Sequence, residues 1–162
     1  GPHASPEARL IYISKRMPAI ETKGEAIEVQ VISKTKARCS FFAPEAAVVL
    51  NADWQEWNRA GERMLNASVD SDRKLILKKI SGGEFALTRA AARIVDYKGE
   101  ASRVILKLQA NTQPEAAIHF RSAHAPKKVM LGNQQLEIVQ SERDYSVKLP
   151  DFTGQADLVI GF

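Results

Sequence analysis

Two tryptophans near the middle of the chain are the residues whose type and spacing most clearly suggest chemistry. Trp54 and Trp57 lie three residues apart in a polar segment that also contains Arg59. Flat indole faces stack on the apolar side of sugar rings, and an exposed tryptophan is costly unless it is used. Polar side chains beside the indoles, such as Arg59, can supply the hydrogen bonds that orient hydroxyl groups. These three residues are therefore candidates for ligand contact.

A second interpretation of the tryptophans is structural. One or both indoles can close the end of a hydrophobic core, because large aromatic side chains are on average highly buried. Tyr97, in a polar turn, is a further candidate for ligand contact on the same reasoning as the tryptophans. The sequence leaves both interpretations open.

The segment around the tryptophans carries signals of a helix. Asp53 is a good capping residue, Glu56 follows three residues later as in a capping box, and Gly61 is a plausible stop. Residues three apart lie on one side of a helical turn. The sequence therefore predicts a short helix or helical loop near residues 53–60 that presents both indoles together.

No catalytic or metal-binding pattern is recognisable elsewhere in the sequence. His119 and His124 are five residues apart without a third histidine or a carboxylate nearby, which is poor spacing for a metal. No Gly-x-Ser-x-Gly segment indicates a nucleophile. A glycosidase needs two carboxylates that face one cleft, and the sequence alone does not pair Glu56 or Asp144. We therefore expect no catalytic residue, metal or cofactor in this chain.

Outside that segment the chain reads as short strands. Apolar residues recur at every second position, and the runs are broken by Gly, Asn, Asp and Pro, as in half-buried antiparallel strands. The alternating segments 27–31 and 37–41 flank a polar turn and predict a hairpin. About a dozen such segments at a spacing of 8 to 12 residues predict an all-β, antiparallel, jelly-roll-like β-sandwich.

The distribution of charged and apolar residues argues against nucleic acid and membrane as partners. The 162 residues carry a net charge of +4, and Lys and Arg are spread over nearly every strand instead of gathering in a patch. That distribution argues against nucleic-acid binding. Nothing approaches the run of roughly 18 apolar residues that a membrane span needs, so we expect no membrane insertion. Cys39 shares the parity of apolar neighbours, which predicts a buried thiol.

The start of the chain suggests a domain taken from a longer protein. Residues 1–5, Gly-Pro-His-Ala-Ser, are typical of a protease-cleavage and cloning scar. We expect residues 6–50 to form N-terminal strands, either within the same fold or as a small separate lobe, and residues 51–162 to form the main β-sandwich.

The closing stretch adds a resemblance. Residues 125–136 read APKKVMLGNQQL, residues 145–150 read YSVKLP, and residues 156–160 read ADLVI. This pattern resembles the C-terminal β-sandwich modules of bacterial polysaccharide-processing enzymes, although those modules more often have Asn-Gly where this chain has Gly132-Asn133. The resemblance covers roughly the last 45 residues and carries over no functional residue.

The resemblance implies a function class. It implies a non-catalytic accessory domain of a periplasmic or extracellular protein, which binds polysaccharide or buttresses an adjoining catalytic domain. The parent would be a glycoside hydrolase, lyase or deacetylase, for example a biofilm exopolysaccharide hydrolase/deacetylase of the Pel type. The alternative is a protein-interaction or structural β-sandwich of a surface or secretion assembly, in which an edge strand accepts a partner. A small carbohydrate-active enzyme ranks third.

Overall fold

The described part of the chain is built from antiparallel strands. The computed structural model describes residues 9–13, 19–23, 26–58, 63–80, 85–110, 113–142 and 144–162. Every described strand pairing is antiparallel, and no helix occurs among these residues. The sheets do not close into a barrel. The predicted class, an all-β antiparallel sandwich, is confirmed.

Three sheets make up the described fold. Sheet 1 has eight strands in the order β1-β4-β7-β6-β9-β12-β16-β15, sheet 2 has the order β10-β11-β17-β13-β14, and sheet 3 has the order β2-β3-β8-β5. The strands of sheet 1 are β1 Arg9–Ile13, β4 Ala37–Phe42, β6 Trp54–Asn58, β7 Met64–Val69, β9 Phe85–Ala90, β12 Ala117–Ser122, β15 Val139–Ser141 and β16 Asp144–Lys148. Those of sheet 2 are β10 Arg93–Gly99, β11 Arg103–Gln109, β13 Lys128–Leu131, β14 Gln134–Leu136 and β17 Gln155–Gly161. Those of sheet 3 are β2 Ala19–Lys23, β3 Ala26–Val31, β5 Ala47–Leu50 and β8 Arg73–Lys79.

Two hydrophobic cores lie against sheet 1. The N-terminal core joins the β4, β6 and β7 part of sheet 1 to sheet 3, and its large members include Val29, Phe41, Trp57, Leu65, Leu75 and Leu77. The C-terminal core joins the β9, β12 and β16 part of sheet 1 to sheet 2, and its large members include Leu87, Ile94, Leu106, Ile118, Phe120, Leu158 and Ile160. Each fully buried side chain of this kind stabilises the fold by about 1.5–3 kcal/mol.

Strand β5 contributes to both cores. Its four residues are all buried, and successive side chains of a strand point to opposite faces. Ala47 and Val49 belong to the N-terminal core, whereas Val48 and Leu50 belong to the C-terminal core. A continuous apolar run is what a strand buried on both faces requires.

The segment predicted as a helix is a strand, so this prediction is wrong. Residues 54–58 form β6, whose side chains alternate between the interior and the outer face. Gln55 is buried because its side-chain amide exchanges hydrogen bonds with the backbone N–H and C=O of Val49, at 2.8 and 2.9 Å. Asp53, the predicted helix cap, instead binds two distant arginines. Tertiary contacts of this kind override local helix propensity.

Two smaller expectations have opposite outcomes. Segments 27–31 and 37–41 do not form a hairpin, because β3 pairs with β2 and β8 whereas β4 pairs with β1 and β7. Cys39 is fully buried in the N-terminal core, as expected, and burial raises the pKa of its thiol to about 11. The division into a lobe of residues 6–50 and a sandwich of residues 51–162 stays a prediction, and residues 1–5 lie outside the described ranges.

Candidate functional groove

A row of polar side chains crosses the outer face of sheet 1. The register places Ser40 opposite Asn66, Asn66 opposite Glu56, and Glu56 opposite Arg89. The row continues from Arg89 to His119 and from His119 to Ser146. Side chains at such directly opposed positions lie about 4.5–5.5 Å apart at Cβ. Six adjacent strands therefore align six polar residues that the sequence separates by more than a hundred positions.

A groove of about 400 Å³ opens over the middle of this row. It is lined by Glu56, Trp57, Asn58, Thr88, Arg89, His119, Arg121 and Asp144. This volume falls in the range of small-molecule sites in proteins, which is about 300–1,000 Å³. The lining residues come from β6, β9, β12 and β16, so rigid strands position the site.

A β-bulge in β9 adds a side chain to the groove. Arg89 pairs with His119 and Leu87 pairs with Phe120, so Thr88 is an extra residue in β9. Because of the extra residue, Thr88 and Arg89 both line the groove, although consecutive residues of a regular strand face opposite sides. Bulges are common beside functional sites, where they redirect a side chain.

The groove side chains differ in their internal partners. The guanidinium of Arg121 donates from Nε to Asp144 Oδ1 at 2.6 Å, which ties these two charges together. Within the described part of the chain, the side chains of Glu56, Asn58, Arg89 and His119 make no hydrogen bond and no ion pair within 4 Å. Their donors and acceptors are available to water or to a ligand.

His119 is neutral at pH 7 in this groove. Partial burial lowers the pKa of its imidazole below the ordinary 6.5, and the positive charge of Arg89 lowers it further. The carboxylates of Asp144 and Glu56 oppose the shift without cancelling it. A neutral imidazole offers one hydrogen-bond donor and one acceptor. The groove thus combines carboxylates, an amide, a hydroxyl, guanidinium groups and an imidazole, which suits a ligand rich in hydroxyl groups.

A second charged cluster, which we call the Asp53 junction, lies at the meeting point of the three sheets. Asp53 is 2 % exposed, and its carboxylate accepts hydrogen bonds from Arg73 at 2.8 Å and from Arg93 at 2.7 Å. It also accepts from the backbone N–H of Asp70. Asp53 precedes β6 of sheet 1, Arg73 begins β8 of sheet 3, and Arg93 begins β10 of sheet 2. The junction is a structural tie.

The pKa of Asp53 follows from these contacts. Burial alone would raise the pKa of this carboxyl group, but the hydrogen bonds from Arg73 and Arg93, with the charge of Arg73, hold it below the ordinary 3.8. The carboxylate is therefore ionised throughout the neutral range, as a carboxylate between two guanidinium groups must be.

The predicted ligand-contact residues lie in different places. Trp54 is half-buried and lies on the same face of β6 as Glu56 and Asn58, but it is not among the residues that line the groove. Trp57 is 8 % exposed and donates from Nε1 to the carbonyl oxygen of Ala43 at 3.0 Å. The two indoles therefore do not form one platform, because residues three apart in a strand face opposite sides.

Tyr97, the third predicted residue, does not line the groove. Tyr97 is 4 % exposed within the C-terminal core, and burial raises the pKa of its phenol. Its hydroxyl has no hydrogen-bond partner among the described residues. Arg59 lies outside the described residues. The proposed role of these residues in ligand contact stays a prediction.

Sequence reasoning missed Arg89, Arg121 and the meeting of His119 with Asp144 and Glu56. One usable signal is parity, because polar and apolar residues alternate in β12 and this places His119 on the face opposite Ile118 and Phe120. The pairing of β9 with β12 and of β12 with β16 could not be read from a single sequence. Regular alternation in β9 would have placed Arg89 on the inner face with Phe85 and Leu87, and only the bulge brings it to the outer face.

The described residues contain neither a recognisable metal site nor a membrane-spanning helix. No group of three or more His, Cys, Asp or Glu there is arranged to hold a metal ion. Nor does that part of the chain contain a helix long and apolar enough to cross a membrane.

Comparison with known proteins adds no family. No protein-family model matches the chain, and no curated protein matches it significantly. The geometry of the groove is accordingly the basis for a proposal about function.

Proposed function

We propose that the chain is a non-catalytic, glycan-binding domain of a larger polysaccharide-acting protein and that the groove on sheet 1 holds the sugar. The observation that carries the proposal is the set of unpartnered donors and acceptors around a cavity of about 400 Å³. Polar groups that are not engaged with other side chains can exchange water for the hydroxyl groups of a ligand, at a net gain of about 0.5–1.5 kcal/mol for each hydrogen bond.

The position of Trp54 supports a sugar over other polar ligands. Trp54 lies two residues before Glu56 on the same face of β6, so its backbone is about 7 Å along the strand from a carboxylate that lines the groove. An aromatic face next to convergent polar groups matches a pyranose ring, which has an apolar face and a rim of hydroxyl groups. In this arrangement we assign Trp54 to binding, whereas the mostly buried Trp57 packs in the core and also borders the groove.

The cellular setting is part of the same proposal. The resemblance of residues 125–160 to accessory modules of bacterial polysaccharide enzymes supports a periplasmic or extracellular parent protein. In that setting the domain holds a polymer near a catalytic domain or packs against it.

The test is a titration of the chain with a panel of neutral and acidic oligosaccharides, followed by calorimetry. We expect saturable binding to at least one member. The double variant Trp54→Ala/Glu56→Gln should weaken it at least about tenfold, because it removes the aromatic face and a charged acceptor. Glu137→Gln removes an exposed carboxylate outside the groove and serves as the matched control.

Thermal melting separates binding from folding in this experiment. The double variant should melt at a lower temperature because truncating the half-buried Trp54 removes apolar contacts, whereas Glu56→Gln alone should bind more weakly and melt close to the unmodified chain because Glu56 has no described internal partner. Flat titrations across the whole panel would contradict the proposal and favour a domain that buttresses its neighbour. Release of new reducing ends during incubation would contradict the non-catalytic part.

A further inference from the structure

Two of the four charged side chains in the groove form an ion pair with each other, and the other two do not. Arg121 and Asp144 form an ion pair and neutralise each other. Glu56 and Arg89 are directly opposed across β6 and β9, yet no ion pair within 4 Å joins them. The groove therefore keeps one unpaired carboxylate and one unpaired guanidinium, each on its own strand.

Arg89 and His119 form a joint donor site. They are directly opposed across β9 and β12, and the bulge at Thr88 turns Arg89 into the groove. The planar guanidinium presents paired N–H groups that match a carboxylate in a bidentate contact, and the neutral imidazole adds one more donor. Glu56 and Asn58 lie on the neighbouring strand and supply acceptors for hydroxyl groups.

We propose, on the basis of the glycan-binding function above, that the groove selects a sugar acid, with a uronate carboxylate bound by Arg89 and His119 and ring hydroxyls bound by Glu56 and Asn58. A uronic acid carries both kinds of group on one ring, which matches the unpaired cation and the unpaired acceptors on adjacent strands.

The charge balance favours a monoanion. Arg89 and Arg121 bring two positive charges to the groove, and Glu56 and Asp144 bring two negative ones. With no excess positive charge, a phosphate or sulfate ester that carries more charge would meet the two carboxylates at close range, and like charges within a site repel. A carboxylate flanked by hydroxyl groups places less charge there.

The experiment compares an acidic sugar with its uncharged form. The chain is titrated with oligogalacturonate and with oligoalginate, each against its methyl ester, by calorimetry. We expect the acid to bind at least about tenfold more tightly than its ester, because a charged hydrogen bond is lost in the ester. Arg89→Gln should remove this preference. Arg89→Lys keeps the positive charge but not the paired N–H groups of the guanidinium, so it should retain part of the preference.

A matched control excludes a general effect of charge. Lys107→Gln removes one positive charge from an exposed position of β11, in sheet 2. This variant should keep the affinity and the preference of the unmodified chain. An equal loss in Lys107→Gln and Arg89→Gln would overturn the inference, because it would assign the preference to net charge.

Proton uptake gives a second readout. The charged groups that face His119 are Arg89 on β9, Asp144 on β16 and Glu56 on β6, with Arg121 on its own strand. A bound carboxylate adds a negative charge and favours the protonated imidazole, so affinity for the acid should rise as the pH falls from about 7.5 to about 6. His119→Gln should flatten this dependence.

The outcomes distinguish this inference from the proposed function. Equal binding of the acids and their esters, or of neutral oligosaccharides alone, would overturn the inference and leave glycan binding standing. No binding of any acidic, esterified or neutral sugar would overturn both.

Discussion

The Asp53 junction and the groove contain the same kinds of side chain and use them in opposite ways. In the junction, Asp53 is almost fully buried and accepts hydrogen bonds from two arginines and a backbone N–H. In the groove, Glu56 and Arg89 are opposed across two strands but have no described internal partner. Satisfied polar groups hold a fold together, whereas available ones can bind. Composition alone would not separate the two regions.

The largest expected effect is the loss of stability when the charge of Asp53 is removed. Asp53→Asn keeps the shape of the side chain but leaves Arg93 without a described anion and Arg73 with only the exposed carboxylate of Asp70. Removing one partner of a buried ion pair costs about 3–5 kcal/mol, and we expect a loss of that size in urea unfolding. Asp144→Asn in the groove, an exposed pair, should cost less than about 1 kcal/mol. Equal losses would contradict the structural assignment of the junction.

Strand β6 allows the same comparison between neighbouring residues. Trp57→Phe keeps most of the aromatic volume but leaves the buried carbonyl of Ala43 without its donor, at a cost of about 1–3 kcal/mol. Asn58→Ala, on the outer face, should change the free energy of unfolding by less than about 0.5 kcal/mol. Chemical denaturation measures both variants. If Trp57→Phe left the free energy of unfolding unchanged, the hydrogen bond from this indole to Ala43 would not contribute to the stability of the fold.

The two regions should also lose stability at different pH. The pKa of Asp53 is lowered in the folded state, so its contribution is complete above its ordinary 3.8 and is lost as the pH falls through the folded value. The pKa of His119 is also lowered, so the unfolded chain takes up this proton first and stability begins to fall below pH 6.5. Melting as a function of pH should show both declines. His119→Gln should remove the loss of stability that begins below pH 6.5, and Asp53→Asn should remove the loss at more acidic pH.

The smallest expected effects are those of the unpaired groove charges on folding. Glu56→Gln and Arg89→Gln each remove a charge that has no described internal partner, so each should change stability by less than about 0.5 kcal/mol. Differential scanning calorimetry of the two variants checks this. A loss above about 1 kcal/mol in either one would assign that residue to the fold and weaken the comparison.

Much of the fold could be predicted from the sequence because most strands bury one face. The closing strands show this: Val129 and Leu131 in β13 and Leu158 and Ile160 in β17 alternate with more exposed residues. At the turn between β13 and β14, Gly132 has a φ of 56°, a conformation that glycine adopts without steric cost. Alternation and turn residues are local properties, so a single sequence reveals them.

The candidate site could not be predicted in the same way. Gln55 is polar but buried, so β6 shows no apolar alternation, and the partners of Asp53 lie 20 and 40 residues away along the chain. The groove depends on strand order, because Glu56 and Asp144 meet only through β9 and β12. Long-range pairing of this kind leaves no local signal.

The join between the two halves of sheet 1 has a consequence for the cooperativity of unfolding. Strands β6 and β9 are paired through only two described residue pairs, Gln55 with Ala90 and Glu56 with Arg89. The N-terminal core lies on one side of this join and the C-terminal core on the other. A ligand that contacts Glu56 and Arg89 together would bind only when both halves are folded, and would add its free energy to the coupling between them. Ligand would then raise the melting temperature and also sharpen the transition, since two partly independent units would unfold as one.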